Sequence, residues 1–431
     1  MDARRNFAHI GRTLHGDDGQ ALQQFMSDSP WQAQAVFRQI QADLAATPAL
    51  TGGTLILDET AEQKAGTHNA GAARQYDGRR GKLDVCRVDT WLGYFHPQAH
   101  LWTLVDAELF LPEEWFGADF AEKRRTLGIP AGRRFQTKPE LGWQMIQRAR
   151  AQGLPFALVA MDALYGSKQR LRADLDAAGM GYAAEVPAST LIYRKSPRVG
   201  VPRSAAGGRP RTKTRVLGGP QPVEVRALAR HRNTPWQRVR VRGCERGWLE
   251  AEFAVQQVWT VDLDGTEGQQ VRAEWLVIRR EADGDCSYTL LNAPAETTAA
   301  ELIERSCQRY FVERLIEDAK GPLGFDEFCA QKYRAVEHHL ALTALALWFV
   351  AQTKWDWAQM QQRDPELARE MEVELLPALS TANVRELLQA VLPLPELTVE
   401  QAMERVVEHL INRARSTRSR LRTQQAGASS P

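Results

Sequence analysis

Three carboxylates in this chain have the setting that phosphodiester chemistry would need. Asp58 closes the apolar run "TLILD", Asp162 closes "PFALVAMD", and Glu313 lies within "SCQRYFVERLIEDAK", residues 306–320. Around the third acid, Arg309, Glu313 and Lys320 stand at i, i+4 and i+11. At ~3.6 residues per turn that spacing places all three on one helix face. Phe311, Val312, Leu315 and Ala319 form a separate apolar arc. Alone, Arg309 and Glu313 read as a surface salt bridge worth ~0.5 kcal/mol or less. Alone, each aspartate reads as a turn residue or a helix cap. Together, three carboxylates would suit Mg2+ or Mn2+, hard cations that take oxygen ligands. Two such ions ~4 Å apart can clamp the attacking and leaving oxygens of a phosphodiester displacement.

The elements around these acids decide whether they can meet. Residues 1 to about 48 read as helices, interrupted at Ser29-Pro30. "TLILDET", "LDVCRVDTWLGYF" (83–95) and "AHLWTLVDAELFL" (99–111) read as three strands, with "HPQ" as a turn. "TKPELGWQMIQRARAQG" (137–153) predicts a helix, with Thr137 and Glu140 as a capping box and Gly153 as the stop. Strand 155–162, helix 167–180 and strand 181–187 follow. Three meandering strands and then alternating α and β give a mixed sheet covered by helices, the order of the RNase H-like fold. In that order the strands ending in Asp58 and Asp162 lie side by side, and a later helix carries Glu313 across their edge.

From Leu191 to Arg246 there are fifteen Lys/Arg and two acids, rich in Pro and Gly and without periodicity. Strand-like runs follow to about residue 295, so 191–295 reads as a β-rich, basic insertion. The expected division is a helical DNA-binding region (1–50), the first part of the core (51–190), the insertion, the last core helices with the third acid (296–355), a helical region (356–413) and a disordered basic tail (414–431). The net charge of +2 does not announce a nucleic-acid partner, so local charge carries that argument. Five scattered cysteines without a C-x-x-C pair argue against a disulfide framework and a structural zinc site, and fit a reducing cytoplasm. The N-terminus lacks a signal-peptide core, and the most apolar run, 340–351, is shorter than the ~20 residues a membrane span needs. It reads as a buried helix, and no membrane association is expected.

At these residues the chain resembles bacterial insertion-sequence transposases of the DDE class, in the superfamily marked by a Tyr-Arg-Glu-Lys signature around the third acid. The signature is Tyr, two residues, Arg, three residues, Glu, six residues, Lys. The matching positions are Ser306, Arg309, Glu313 and Lys320, so Ser306 departs from the pattern. "LILDET" resembles the first-acid motif, "VAMDALYG" the second, and "AKGPLGFDEF" the segment after the third. "QKAGTHNAGAARQYDGRRGKLDVCRV", "ELFLPEEW" and "ALQQFMSDSPW" resemble other family segments, and the likeness covers most of residues 7–350.

The resemblance implies an RNase H-like core with a β-rich insertion before the third acid, two Mg2+ (or Mn2+) ions held by Asp58, Asp162 and Glu313, and cut-and-paste movement of a DNA element. It implies double-stranded DNA partners, the element's terminal inverted repeats and a target, bound by a homodimer. Arg309 and Lys320 would hold phosphates near the metals and keep Glu313 ionised. Arg209, Arg211, Lys213 and Arg215 in the insertion would follow DNA phosphates, and Lys64 and Arg74 would contact DNA near the first acid. Trp275 and Tyr288 are the candidates for stacking on a flipped base, against an ordinary role in the core. Two other readings stand beside an active transposase: an inactive, transposase-derived DNA-binding protein, and a metal-dependent nuclease without strand transfer.

Overall fold

The computed structural model describes residues 7, 10, 11, 18–64, 66–78, 80–203, 211–244, 247–262, 268–329, 331–363, 378–391, 398–401, 403, 404, 406, 407, 410, 411, 414, 415 and 418. Packing divides the chain into Gln23–Arg385 and a second unit made of Met1–Leu22 with Glu386–Pro431.

Two helices, α1 (Gln20–Ser27) and α2 (Ala33–Ala45), flank the Ser29-Pro30 break. In α2, Phe37, Ile40, Gln41 and Leu44 are buried at helical spacing. The sheet then opens with β1 (Gly53–Gln63), β2 (Ala73–Asp77), β3 (Lys82–His96) and β4 (Leu101–Leu109). β2 went unread in the sequence because "ARQYD" offers little apolar alternation. It pairs with the first third of the 15-residue β3, and β4 pairs with Asp89–His96. The hairpin turn between β2 and β3 rests on the Asp77 carbonyl, which accepts from the N–H of Arg80 and Gly81. Gly81 takes the left-handed φ of +63° that a residue with a Cβ resists.

Next come α3 (Ala121–Thr126), α4 (Lys138–Ala151), β5 (Phe156–Met161), α5 (Ala163–Gly166), α6 (Gln169–Ala177) and β6 (Gly181–Glu185). The capping box read at Thr137 and Glu140 is present in α4, with both reciprocal bonds made. β1 pairs antiparallel with β3 and parallel with β5, and β5 pairs parallel with β6. The resulting order, β4-β3-β1-β5-β6, is that of the RNase H-like fold.

Between β6 and the later helices lie the short β7 (Leu191–Ile192), β8 (Arg198–Gly200), β9 (Arg215–Gly218) and β10 (Val223–Glu224), then α7 (Val225–Ala229). Four longer strands follow: β11 (Gln237–Cys244), β12 (Gly247–Asp262), β13 (Gln270–Arg280) and β14 (Cys286–Leu291). These four do not form a separate sheet. β14 pairs with β6, so the core sheet runs on through β13 and β12 to β11. A buried ionic cluster ties the two parts together. Glu274 on β13 receives hydrogen bonds from Tyr182 on β6 (2.5 Å) and from Thr260 on β12, and faces Arg172 of α6 at 3.3 Å. Arg172 also donates to the Gly166 carbonyl.

The chain returns to the core through α8 (Ala299–Ser306), α9 (Tyr310–Lys320), α10 (Tyr333–Arg363) and α11 (Thr381–Val391). The run 340–351 lies within α10, with Leu340, Ala341, Ala344, Leu347, Trp348 and Ala351 buried. No helix among the described residues is long and apolar enough to cross a membrane. His338 stacks on Trp31, and His339 lies against Phe325 and Phe328 with ring centroids 4.8 and 4.0 Å away. Burial pushes His339 down to about 4.

The Glu274 cluster generates a stability prediction. Removing one partner of a buried ion pair costs ~3–5 kcal/mol, whereas replacing both with apolar groups can be neutral. Glu274→Leu is expected to lower unfolding free energy in guanidinium titrations by about that amount, and Arg172→Met/Glu274→Leu to recover more than half of it. Equal losses in the single and double variants would show that the pair is not coupled.

Candidate active site

Strand register brings the first two acids together. Leu57 on β1 lies opposite Met161 on β5, so Asp58 and Asp162, one residue further on, come out at one level. The same holds on β6, where Ala184 lies opposite Met161 and the next residue is Glu185. Asp58 does not end its strand, as the sequence suggested. β1 runs on to Gln63 along β3, and it is β5 that stops, leaving Asp58 at the open side. β5 stops because Asp162 turns into a cap: its Oδ1 accepts the backbone N–H of Leu164 at 3.0 Å and of Tyr165 at 3.2 Å. Gly166 then lets α5 pass β6, since a Cβ there would sit 2.0 Å from the Glu185 carbonyl oxygen.

Helix α9 is fixed by its apolar side. Phe311 stacks on Phe95 with ring centroids 3.6 Å apart, and Val312 and Leu315 are buried. The Trp102 indole N–H donates to Asp318 at 2.9 Å, and Thr54 of β1 donates to Gln308 just before the helix. This seating turns Arg309, Glu313 and Lys320 toward Asp58 and Asp162. All five line one cleft of about 950 Å3, together with Glu317 and, at its rim, Tyr76 of β2. Arg309 is the centre of the charge pattern. Its Nη1 donates to Asp58 at 3.1 Å and its Nη2 to Glu313 at 2.7 Å, and its Nε lies 2.9 Å from Glu185. Lys320 donates to the Ala61 carbonyl of β1 at 3.0 Å.

Burial raises Asp58 to about 7; the Asp162 charge adds to the rise, and Arg309 opposes it. Burial also raises Asp162, against its two backbone hydrogen bonds and Arg309. For Arg309, burial disfavours the charge, but Glu185 and Asp58 outweigh it and hold the guanidinium above its ordinary value. Two desolvated aspartates that resist sharing their charge are a fitting oxygen donor pair for a hard divalent cation. Glu313 is not yet part of such a set. Its side chain is 55 % exposed and paired to Arg309, and among the described residues no three His, Cys, Asp or Glu side chains are grouped to hold a metal ion.

A profile of the DDE superfamily endonuclease family matches residues 1–247. The chain belongs to that family. The matched stretch holds Asp58 and Asp162 and ends before Glu313. A protein of Microchaete diplosiphon, described as a probable transposase for insertion sequence element IS701, is 27% identical over 197 residues. That alignment covers 44% of this chain and 46% of the relative, so the chain spans about half the length of that relative. A solved piggyBac transposase synaptic complex with hairpin DNA aligns over 83% of this chain and 61% of its own, at 12% identity and a TM-score of 0.30, too little likeness to carry an argument.

Within this DDE family member, the other expected site residues are placed unevenly. Lys64 is turned inward. Its side chain is 8 % exposed, and its ammonium donates to Glu62 at 2.7 Å and to the Phe328 carbonyl at 3.3 Å, beside the buried Arg87–Glu62 pair. Tyr288 is 6 % exposed within the insertion's core and has no face to offer a base. Trp275 is half-buried, packs against the cluster around Phe253 and Leu291, and donates its indole N–H to the Pro294 carbonyl at 3.3 Å. Arg74 is exposed on β2, two residues from Tyr76 and on the same strand face. Arg211, Lys213 and Arg215 are exposed, and Arg209 lies outside the described residues. Ser306 ends α8, its hydroxyl donating to the Ile303 carbonyl at 2.7 Å, and it does not line the cleft.

Sequence reading missed Glu185 and Tyr76. Glu185 carried the same signal as the two aspartates, an acid closing an apolar strand in "GYAAEVP". Tyr76 is 57 % exposed on β2, the strand whose sequence lacks apolar alternation.

The raised Asp58 yields a pH prediction. Its folded value of about 7 exceeds the ordinary value of 3.8, so between those limits the folded state binds more protons than the unfolded state. Stability in chelator should therefore fall as pH rises from about 4 to 7. Asp58→Asn removes that dependence and is expected to be the more stable protein at pH 8 by on the order of 3 kcal/mol, with the gain vanishing near pH 4. Urea titrations at both pH values measure this, and a gain that is equal at both rules out the desolvated aspartate as its source.

Proposed function

We propose that this protein is a transposase that cleaves and joins DNA at the ends of an insertion sequence. The observation that carries this reading is the level placement of Asp58 and Asp162 at adjacent parallel strands, facing Arg309, Glu313 and Lys320 across one cleft. Membership of the DDE endonuclease family and the likeness to a transposase support it. Asp58 and Asp162, joined by Glu313, are the residues that would hold divalent cations. Bound there, Mg2+ or Mn2+ would supply Lewis-acid activation of the attacking oxygen and charge neutralisation at the phosphodiester.

The chain's own groups bind and orient the DNA. Arg309 offers a planar fork that matches phosphate oxygens bidentately, and Lys320 adds a point charge. Arg309 already touches Asp58 and Lys320 the Ala61 carbonyl, so a backbone phosphate entering the cleft would take these cations over from the protein oxygens they now hold. The insertion also exposes Arg194, Lys195, Arg198, Arg211, Lys213 and Arg215, cations suited to sequence-independent contact with a duplex. Two DNA ends must be cut together, which calls for two copies of the chain. The division into helical, catalytic and basic inserted regions is part of the same proposal.

Incubation with Mg2+ and DNA bearing the inverted repeats that flank the gene tests the reading. Wild type is expected to nick the repeat ends and join them to a second DNA. Asp58→Ala, Asp162→Ala and Glu313→Ala should each lower that rate at least ~100-fold, equivalent to ~2.7 kcal/mol of transition-state stabilisation. Cleavage by wild type no faster than by these variants overturns the enzymatic reading, and cleavage without joining makes the protein a nuclease. Reversing Arg211, Lys213 and Arg215 to Glu should reduce the slope of log affinity against log salt by about 0.9 for each phosphate no longer neutralised. An unchanged slope excludes these cations from DNA binding.

A further inference from the structure

Glu185 differs from the other acids around Arg309. Asp58 and Glu313 line the cleft and touch the two Nη groups; Glu185 does not line the cleft and meets Arg309 at Nε, 2.9 Å away. The guanidinium is thus ion-paired at one corner with a carboxylate that is not among the cleft-lining residues. Its other two corners are engaged with the same carboxylates that a divalent cation would need. Arg309 and a cation therefore compete for Asp58 and Glu313.

Position explains why Glu185 can act this way. It is level with Asp162 but on the far side of β5 from β1, at the end of β6. The backbone there is crowded: the Glu185 carbonyl oxygen is the atom that Gly166 must clear. An acid held on a central strand keeps its place when cleft contents change. The guanidinium is a rigid planar fork, so its two Nη groups leave Asp58 and Glu313 only by a turn of the whole group, and the charge of Glu185 keeps that group at the wall. That Nη edge is the one that pairs with two phosphate oxygens at once.

We propose that Glu185 is a positioning residue that anchors Arg309 through Nε, so that Arg309 leaves Asp58 and Glu313 when a divalent cation arrives and offers its free edge to the DNA phosphate. The inference rests on the function proposed above. Without Glu185, the guanidinium has only Asp58 and Glu313 as partners and stays on them, closing the set to a cation. A lysine in place of Arg309 could not reproduce the exchange, because its single ammonium has no separate corner to be held by.

Mn2+ binding to the full-length protein without DNA, followed by calorimetry, tests this apart from activity. Glu185→Gln is expected to weaken Mn2+ binding about tenfold, and Glu185→Asp to restore most of it. In an Arg309→Ala background the Glu185→Gln change should have no further effect, whereas a simple loss of nearby negative charge would weaken binding there too. Thermal melting identifies any variant that has lost its fold, and Glu185→Asp then carries the comparison with wild type. Glu185→Gln binding within twofold of wild type, or an equal loss with and without Arg309, overturns the anchor. Wild type that binds Mn2+ no better than Asp58→Ala overturns the metal-site reading and the anchor with it.

Discussion

Negative charges at the end of a parallel sheet repel one another, and the fold around them must offset that repulsion. The ladders between β1, β5 and β6 put Asp58, Asp162 and Glu185 at one level, and burial removes the water that would screen the two aspartates. Arg309 provides the compensation, and its placement constrains everything attached to it. It must project from the start of α9, so α9 must be seated firmly. The Phe95–Phe311 stack, the Trp102–Asp318 bond and the Thr54–Gln308 bond all serve that seating. The cleft is thus a consequence of the charge arrangement as much as of the sheet.

Local signals in the sequence translated well into structure. The capping box of Thr137 and Glu140, the break at Ser29-Pro30 and the burial of 340–351 depend on neighbours a few residues away, and each is present. The strand order of the core was legible because the period of the apolar pattern changes at each element. The arc of Arg309, Glu313 and Lys320 was legible too, although Arg309 precedes the first residue of α9 and Lys320 is the last.

Contacts between distant segments stayed hidden. Lys64 follows the last residue of β1 and its ammonium turns back to Glu62, whose partner Arg87 across the ladder completes an ionic cluster that draws the lysine inward. Nothing near Lys64 in the sequence signals Arg87. Tyr288 is buried because the face it occupies packs on α7 and β13, a relation set by tertiary pairing. The joining of β14 to β6 crosses about a hundred residues of chain and has no local signature. Only Glu185 was within reach, since its strand and its terminal acid were both visible.

That junction has a mechanical meaning. An insertion carried as a separate lobe could swing on a flexible tether. Here the insertion shares its hydrogen-bond ladder with the core through β14 and β6, and the Glu274–Arg172 cluster pins the same seam to α6. A hinge at this seam would break both. A twist imposed on β12 or β13 must instead propagate through the sheet as through a stiff plate. The first core strand it reaches is β6, whose last residue touches Arg309.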